Sequence, residues 1–350
     1  MKKLKILFNT SPGAFRNVGG GEIQLLETKK ELEKKGHTVK ILEKEKYKVD
    51  FADFDIFHNF NIHRDNLQFV LKAKQAGLPV AVSTIYWPSL KYSLLQGSGI
   101  SKKAKSVAAE LMKHIDMGGY GAARKILHSA DALLPNSNAE AQMLKHRFGA
   151  DHRKTHVVPN GVDERFKSGK PRLFRKESGL KDFVLYVGRI EERKNLLPLV
   201  KAMNSIGENL AVVGDAKTGS EKYLQKCREA ASGNIVFMRA IPHESELLES
   251  AYAACKVFAL PSWYETPGLA ALEAGLAGAN LVVTKEGCTR EYFGDMALYA
   301  DPASSSDIKN KVFAALQRPK EKALRRHIEG NFLWKNAAEE TEKAYQKILG

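Results

Sequence analysis

Cysteine is scarce in this chain. Cys227, Cys255 and Cys288 are odd in number, widely spaced and without a C-x-x-C pair, so neither a disulfide framework nor a zinc site is suggested. That usage fits a reducing cytoplasm, and a cytoplasmic protein is expected, resting at most on the inner face of a membrane. Long apolar runs are missing as well. The longest, Leu269 to Val283, is interrupted by Glu273 and Asn280 and falls short of the roughly 20 residues of a membrane-spanning helix; it reads as a buried helix followed by a strand. Met1 to Phe15 opens with two lysines, but Lys5 and Asn9 break its apolar character and no small-residue cleavage site follows, so no signal peptide is expected. Low-complexity sequence and internal repeats are absent, and so are zinc-finger spacing and an RNP motif.

What is present is ordinary globular material. The chain has 350 residues, 43% hydrophobic, 27% charged and 9% aromatic, and single cores stop growing near about 250 to 300 residues, so two domains are expected. A formal net charge of +15 and a pI near 9.5 favour an anionic partner such as acidic lipid, nucleic acid or a phosphorylated small molecule. Without a nucleic-acid module, no nucleic-acid partner is expected.

Along the chain, Leu4 to Asn9 reads as a strand that runs into Gly19-Gly20-Gly21, and Glu22 to Lys35 has helical spacing until Gly36. Val39 to Leu42, Ile56 to His58, Val80 to Thr84 and Ala132 to Pro135 are further strand candidates, with helices at Asn66 to Ala76 and Ala122 to Ser129. The same grammar restarts at Phe183 to Gly188, after a basic, glycine-containing connector from Lys167 to Leu180. Strands recur at Leu210 to Gly214, Ile235 to Met238, Val257 to Leu260 and Leu281 to Thr284. The fold class is α/β, with two doubly wound parallel sheets. Such sheets bind ligands at the carboxyl ends of their strands, and a cleft between two facing domains is expected.

Three stretches carry candidate chemistry. The first, Leu260 to Ala274, is a strand end, a turn containing Pro267 and Gly268, and a helix. Free N–H groups at Gly268 and Leu269 suit a phosphate. Glu265 in the turn can accept from sugar hydroxyls. Glu273, about two helical turns on, needs partners in so apolar a helix, either vicinal ribose hydroxyls or a nearby lysine. The second, Val187 to Asn195, places Arg189 and Lys194 just after a strand, where an arginine fork and a lysine point charge neutralise a diphosphate; taken alone, they also read as surface charges. The third is Gly19-Gly20-Gly21-Glu22 at the first helix, whose backbone can approach a pyrophosphate. It is neither a G-x-G-x-x-G fingerprint nor a Walker A loop.

In this order, the three stretches resemble the large retaining glycosyltransferase family 4 (glycosyl transferases group 1). Leu134-Pro135-Asn136-Ser137, Val158-Pro159-Asn160-Gly161-Val162-Asp163 and Phe332-Leu333-Trp334-Lys335-Asn336-Ala337-Ala338 extend the likeness over nearly the whole chain. The resemblance implies the GT-B fold, two facing Rossmann-like domains with a cleft between them. Residues 1–163 would form the acceptor domain, completed by a C-terminal helix at 334–350, and residues 164–333 the nucleotide-sugar donor domain. It makes Arg189 and Lys194 the donor diphosphate ligands with Gly20 near the same phosphates, Glu265 the holder of the transferred sugar and Glu273 that of the ribose. Backbone around Ile241 would face the base, and Thr266, Pro267, Gly268 and Leu269 would line the donor. Catalysis is assigned to Arg189, Lys194 and Glu265, with no cofactor and no metal.

One departure stands out. Many members carry a histidine after the strand corresponding to Val80 to Thr84, and here the sequence is Ser83-Thr84-Ile85-Tyr86-Trp87-Pro88. Thr84, Tyr86, His58 and His63 are the candidates for sugar or acceptor contact in its place. No carboxylate is an evident nucleophile, so front-face transfer is the implied mechanism. The basic stretch Ser101 to Ile115 could lie on anionic lipid and present a lipid-linked acceptor, or be an ordinary amphipathic surface helix. The expected activity is transfer from an NDP-sugar to a hydroxyl acceptor in cell-surface glycan or glycolipid synthesis. A non-catalytic nucleotide-sugar-binding protein, a GT-B sugar-nucleotide epimerase and, more remotely, a nucleic-acid-binding protein are the alternatives.

Overall fold

The computed structural model describes residues 2–16, 18–42, 50–87, 92 and 120–350; the basic stretch Ser101 to Ile115 lies outside them. The chain divides into two compact units, Met1–Gly161 with Trp334–Gly350, and Val162–Leu333.

In the first unit the order is β1 (Lys5–Asn9), α1 (Gly20–Lys34), β2 (Thr38–Ile41), β3 (Ile56–Phe60), α2 (Leu67–Gln75), β4 (Val80–Ser83), α3 (Tyr120–Ser129), β5 (Ala132–Leu134) and α4 (Asn138–Phe148). The five strands pair in parallel in the order β2-β1-β3-β4-β5. Both faces of such a sheet are covered, which is why Ile6, Leu7, Phe8, Val80, Ala81 and Val82 are all buried. Helix ends follow local chemistry. Ser137 Oγ accepts from the Glu140 N–H to start α4, and Gly149 ends it in the left-handed conformation.

The C-terminal helix Trp334–Leu349 belongs to this unit and packs on α1 and β5. Three histidines hold it. His58 Nδ1 lies 2.6 Å from the Tyr345 hydroxyl, and His156 Nε2 lies 2.9 Å from Glu340 Oε2. His37 takes the Leu4 N–H on Nδ1, so its Nε2–H donates to Glu342 Oε1 at 2.9 Å.

The second unit runs α5 (Arg172–Ser178), β6 (Val184–Val187), α6 (Leu196–Ile206), β7 (Leu210–Val213), α7 (Glu221–Glu229), β8 (Ile235–Met238), α8 (Glu246–Ala254), β9 (Val257–Leu260), α9 (Leu269–Leu276), β10 (Asn280–Thr284), α10 (Thr289–Phe293), β11 (Leu298–Ala300), α11 (Ser305–Gln317) and α12 (Lys322–Asn331). Its parallel sheet has the order β11-β10-β9-β6-β7-β8. The order reverses between β6 and β9, so the loops leaving those two strands diverge around a crevice at their carboxyl ends.

Two sequence expectations change here. The Lys167 to Leu180 stretch is not a plain connector: it carries α5, whose Phe174 is fully buried against α8 and whose backbone N–H donates to Ser250 Oγ at 2.8 Å. The sheet also has one more strand than expected, β11, whose three residues are too few to show a period.

Candidate functional site

The site builds from the two loops that flank the reversal in the second sheet. After β6 the chain passes Gly188 and Arg189, makes a short 3-10 turn at Glu192–Lys194, and enters α6 through Asn195. Asn195 is left-handed at φ 58 and nearly buried, and its Nδ2 donates to the carbonyls of Pro261 and Pro302 at 3.0 and 2.9 Å. That stitches the β6 loop to the β9 loop. A second stitch is the Trp263 N–H donating to the Arg193 carbonyl at 2.8 Å.

Between these stitches the charges meet. Lys194 Nζ donates to Glu265 Oε1 at 2.6 Å, and both side chains are mostly buried, 14% and 7% exposed. Arg193 Nη1 lies 3.8 Å from the same oxygen and donates to the Tyr264 carbonyl, while its Nη2 pairs with Glu191 at 3.2 Å. Its guanidinium also covers the Tyr264 ring at 5.0 Å. Burial alone would raise the Glu265 pKa, but Lys194 and Arg193 outweigh it and hold the carboxyl below its ordinary range. Burial and the Arg193 charge lower Lys194, against the pull of Glu265. The geometry supports an ionised Glu265 facing a protonated Lys194.

Glu265 is fixed from behind by backbone. Its carbonyl accepts the Cys288 N–H at 3.1 Å, and it bridges to Gly287. A Cβ on Gly287 would stand 2.1 Å from the Glu265 carbonyl oxygen, and Gly287 has φ 105, so only glycine lets the two loops approach this closely. The Thr266–Pro267 peptide bond is cis, and Gly268, left-handed at φ 87, caps α9. The N–H groups of the first turn of α9 thus begin at Gly268 and Leu269, within a few residues of Glu265.

Arg189 rides on the same β6 loop, half-buried, and its guanidinium has no hydrogen-bond or ion-pair partner among the described residues. Arg193 is not among the sequence candidates; the signal is there in Glu191 two residues before it, a buried acid that needs a cation.

Glu273 sits in a second cluster about 7 Å along α9 from its start. Its Oε2 accepts from the Tyr252 hydroxyl at 2.6 Å and its Oε1 faces His243 Nε2 at 2.8 Å. The expected lysine partner is replaced by these two. Arg165 backs the cluster, donating to the His243 carbonyl at 2.5 Å and covering Phe166 at 4.6 Å. Burial lowers the His243 pKa, but Glu273 and then Glu244 overcome it, so the imidazole is pushed above its ordinary value. Ile241 is half-exposed on the loop after β8, two residues from His243. Nothing in the sequence couples Tyr252 to Glu273, since the contact exists only once α8 packs on α9.

In the first unit the outcome is different for each candidate. His58 is fully buried between Tyr345 and Ser83 Oγ, and burial takes its pKa down to about 3; it is a packing residue of the sheet, not a sugar contact. Thr84 is also fully buried, with its hydroxyl donated to Glu140, which removes it as a side-chain contact. The Tyr86 hydroxyl is taken by Arg147 Nη1 at 2.9 Å and lies 3.1 Å from that of Tyr120; burial pushes its pKa up. His63 is exposed beside Asp65, 3.1 Å from Nδ1 to Oδ2. Gly20 is exposed in the first turn of α1, after Gly19, whose N–H donates to Glu22 Oε2 at 2.8 Å.

Comparison with known proteins adds the family. Residues 172–331 match the model of glycosyl transferases group 1, and residues 49–166 that of Glycosyltransferase Family 4. Among curated proteins, the D-inositol 3-phosphate glycosyltransferase of Geodermatophilus obscurus is 32% identical over 242 residues, covering 63% of this chain and 53% of the relative. That of Nocardia farcinica is 29% identical over 249 residues, covering 65% and 54%. The chain spans about half the length of the curated relatives it matches. Sucrose-phosphate synthase from Thermosynechococcus elongatus superposes with a TM-score of 0.78 at 19% identity over 98% of both chains. Anabaena HepE in complex with UDP and glucose gives 0.74 at 16% identity, covering 98% of this chain and 100% of that one. At such identities the likeness carries the fold, GT-B with two parallel-sheet α/β domains. With one model matched in each half of the sequence and this fold in place, the chain belongs to glycosyltransferase family 4.

Proposed function

We propose that the chain is a retaining glycosyltransferase that moves a sugar from a nucleoside-diphosphate sugar to a hydroxyl acceptor, in the synthesis of cell-surface glycan or glycolipid. The observation that carries this reading is the buried Lys194–Glu265 pair at the reversal point of the second sheet, built in part from the same loop that carries Arg189. A cation pair and a carboxylate fixed side by side are the two halves of a site for an activated sugar, phosphate on one side and hydroxyls on the other.

In this reading Arg189 and Lys194 neutralise the diphosphate, helped by the α9 amides of Gly268 and Leu269 in the turn that Thr266 and Pro267 form. Glu265 accepts from hydroxyls of the transferred sugar and Glu273 from those of the ribose. Backbone at Ile241 meets the base. The bond from the anomeric carbon to the β-phosphate oxygen breaks, and the diphosphate leaves with the electron pair. The acceptor oxygen bonds to the same face while its proton passes to the departing phosphate. Charge aimed at the leaving group supplies most of the acceleration.

Supporting a uridine nucleotide as the first to test, the HepE neighbour has been solved with UDP-glucose. A panel of UDP-, GDP- and ADP-sugars, followed for transfer and hydrolysis, tests the whole reading. An isomerised donor without acceptor would indicate an epimerase, and nucleotide affinity without turnover a binding protein. Arg189→Ala and Lys194→Ala are each expected to lower kcat by about 10² or more. Rates near wild type in both variants would remove the assignment.

A further inference from the structure

The loop that leaves β4 adopts a backbone its own sequence disfavours. Ile85 has φ 44, a left-handed conformation that is costly for a β-branched residue. The residues on either side are held in place. Thr84 Oγ1 donates to Glu140 Oε1, and the Tyr86 N–H donates to the same oxygen at 2.7 Å. The other Glu140 oxygen accepts the Asn136 N–H at 2.7 Å, and the Tyr86 ring packs edge-on against Phe148 with centroids 5.2 Å apart. Glu140 is itself fully buried. The clamp therefore fixes both neighbours of Ile85 and leaves it no freedom to relax.

Burial does not explain the strain. Tyr86 joins the apolar core of the unit, whereas Ile85 stays half-exposed and outside it. Its side chain reaches the first turn of α1, where a Cβ built on Gly21 would stand 3.7 Å from Ile85 Cδ1. A strained residue that stabilises little by packing is one whose position is set by function.

We infer that Ile85 is a specificity-determining residue for the transfer reaction: Glu140 holds it as an aliphatic wall beside the start of α1, a surface suited to the C–H face of a sugar ring. This rests on the transfer reading above. The ring is assigned to the acceptor, because the donor is read onto the second unit.

The test uses the full chain with Ile85→Gly and Ile85→Val. Calorimetry with UDP, GDP and ADP, with turnover of the donor panel, comes first on the wild type. A wild type that neither binds nor turns over removes the transfer reading, and this inference with it. Given an active wild type, Ile85→Gly is expected to keep its Tm within about 2 °C of wild type or above it, because glycine adopts φ 44 freely. Its ratio of kcat/KM between the best and second-best sugar is expected to narrow by about 10-fold, while Ile85→Val stays within about 2-fold. Narrowing in the acceptor series supports the proposal, and narrowing in the donor series alone overturns it. As a positioning residue, Glu140 is expected to narrow the same ratio as Glu140→Gln and to add nothing in the Ile85→Gly background. An unchanged ratio in both series, or a Tm loss beyond about 4 °C in Ile85→Gly, would overturn the proposal even in an active enzyme.

Discussion

Lys194 and Glu265 leave each other little choice. Removing the lysine leaves a buried carboxylate whose nearest cation is Arg193 at 3.8 Å, so Lys194→Ala is expected to cost about 3–5 kcal/mol of stability. Lys194→Met with Glu265→Gln should recover much of that loss in urea denaturation while remaining inactive, which separates folding from chemistry. Arg189→Ala has no pair to break, and its Tm should stay at the wild-type value. His243 gives a pH signature. Its folded pKa lies above its unfolded value, so its contribution is complete below pH of about 6.5 and is lost as pH rises through the folded value. The stability gap between wild type and His243→Gln should therefore shrink on going alkaline, as measured by chemical denaturation at several pH values. The cations and acids of the site were legible because a strand end followed by charge is a strong local signal. Arg193, Tyr252 and the turned ring of His243 were not, since their roles depend on partners brought in by packing.

Elements differ in how plainly their sequences announce them. Val257–Leu260 and Ile235–Met238 are apolar runs bounded by turn residues, and the strands fall on those residues. The helix α5 hides because four of its seven residues are charged and only Leu173 and Phe174 are apolar, too short a span to show a period. Phe174 nevertheless anchors it. Phe174→Ala is expected to destabilise the protein by about 3–5 kcal/mol, with hydrogen exchange rising in α5 and α8 before the sheet. The Thr84–Tyr86 loop was legible only as a departure; that it is strained, and that Glu140 from α4 clamps it, belongs to tertiary structure. Among the described residues no helix is long and apolar enough to cross a membrane.

At the scale of the molecule, acid bears on the C-terminal helix. His58 is neutral when folded, with a pKa of about 3, so stability should fall as pH drops from about 6.5 toward 3, by up to about 1.4 kcal/mol per unit from this residue. A His58→Phe variant should show a flatter acid limb in thermal melts, whatever its stability at neutrality.

The grip of His37, His58 and His156 on residues 334–349 also sets an order of events during synthesis. The ribosome delivers all of the second unit before the piece that completes the first, so the earlier-made sheet must wait, partly uncovered, while its later neighbour acquires a finished core. A nascent chain halted after Leu333 should yield a protease-resistant fragment from the second unit and rapid cutting in the first. Release of residues 334–350 would then let the first unit close over its exposed face.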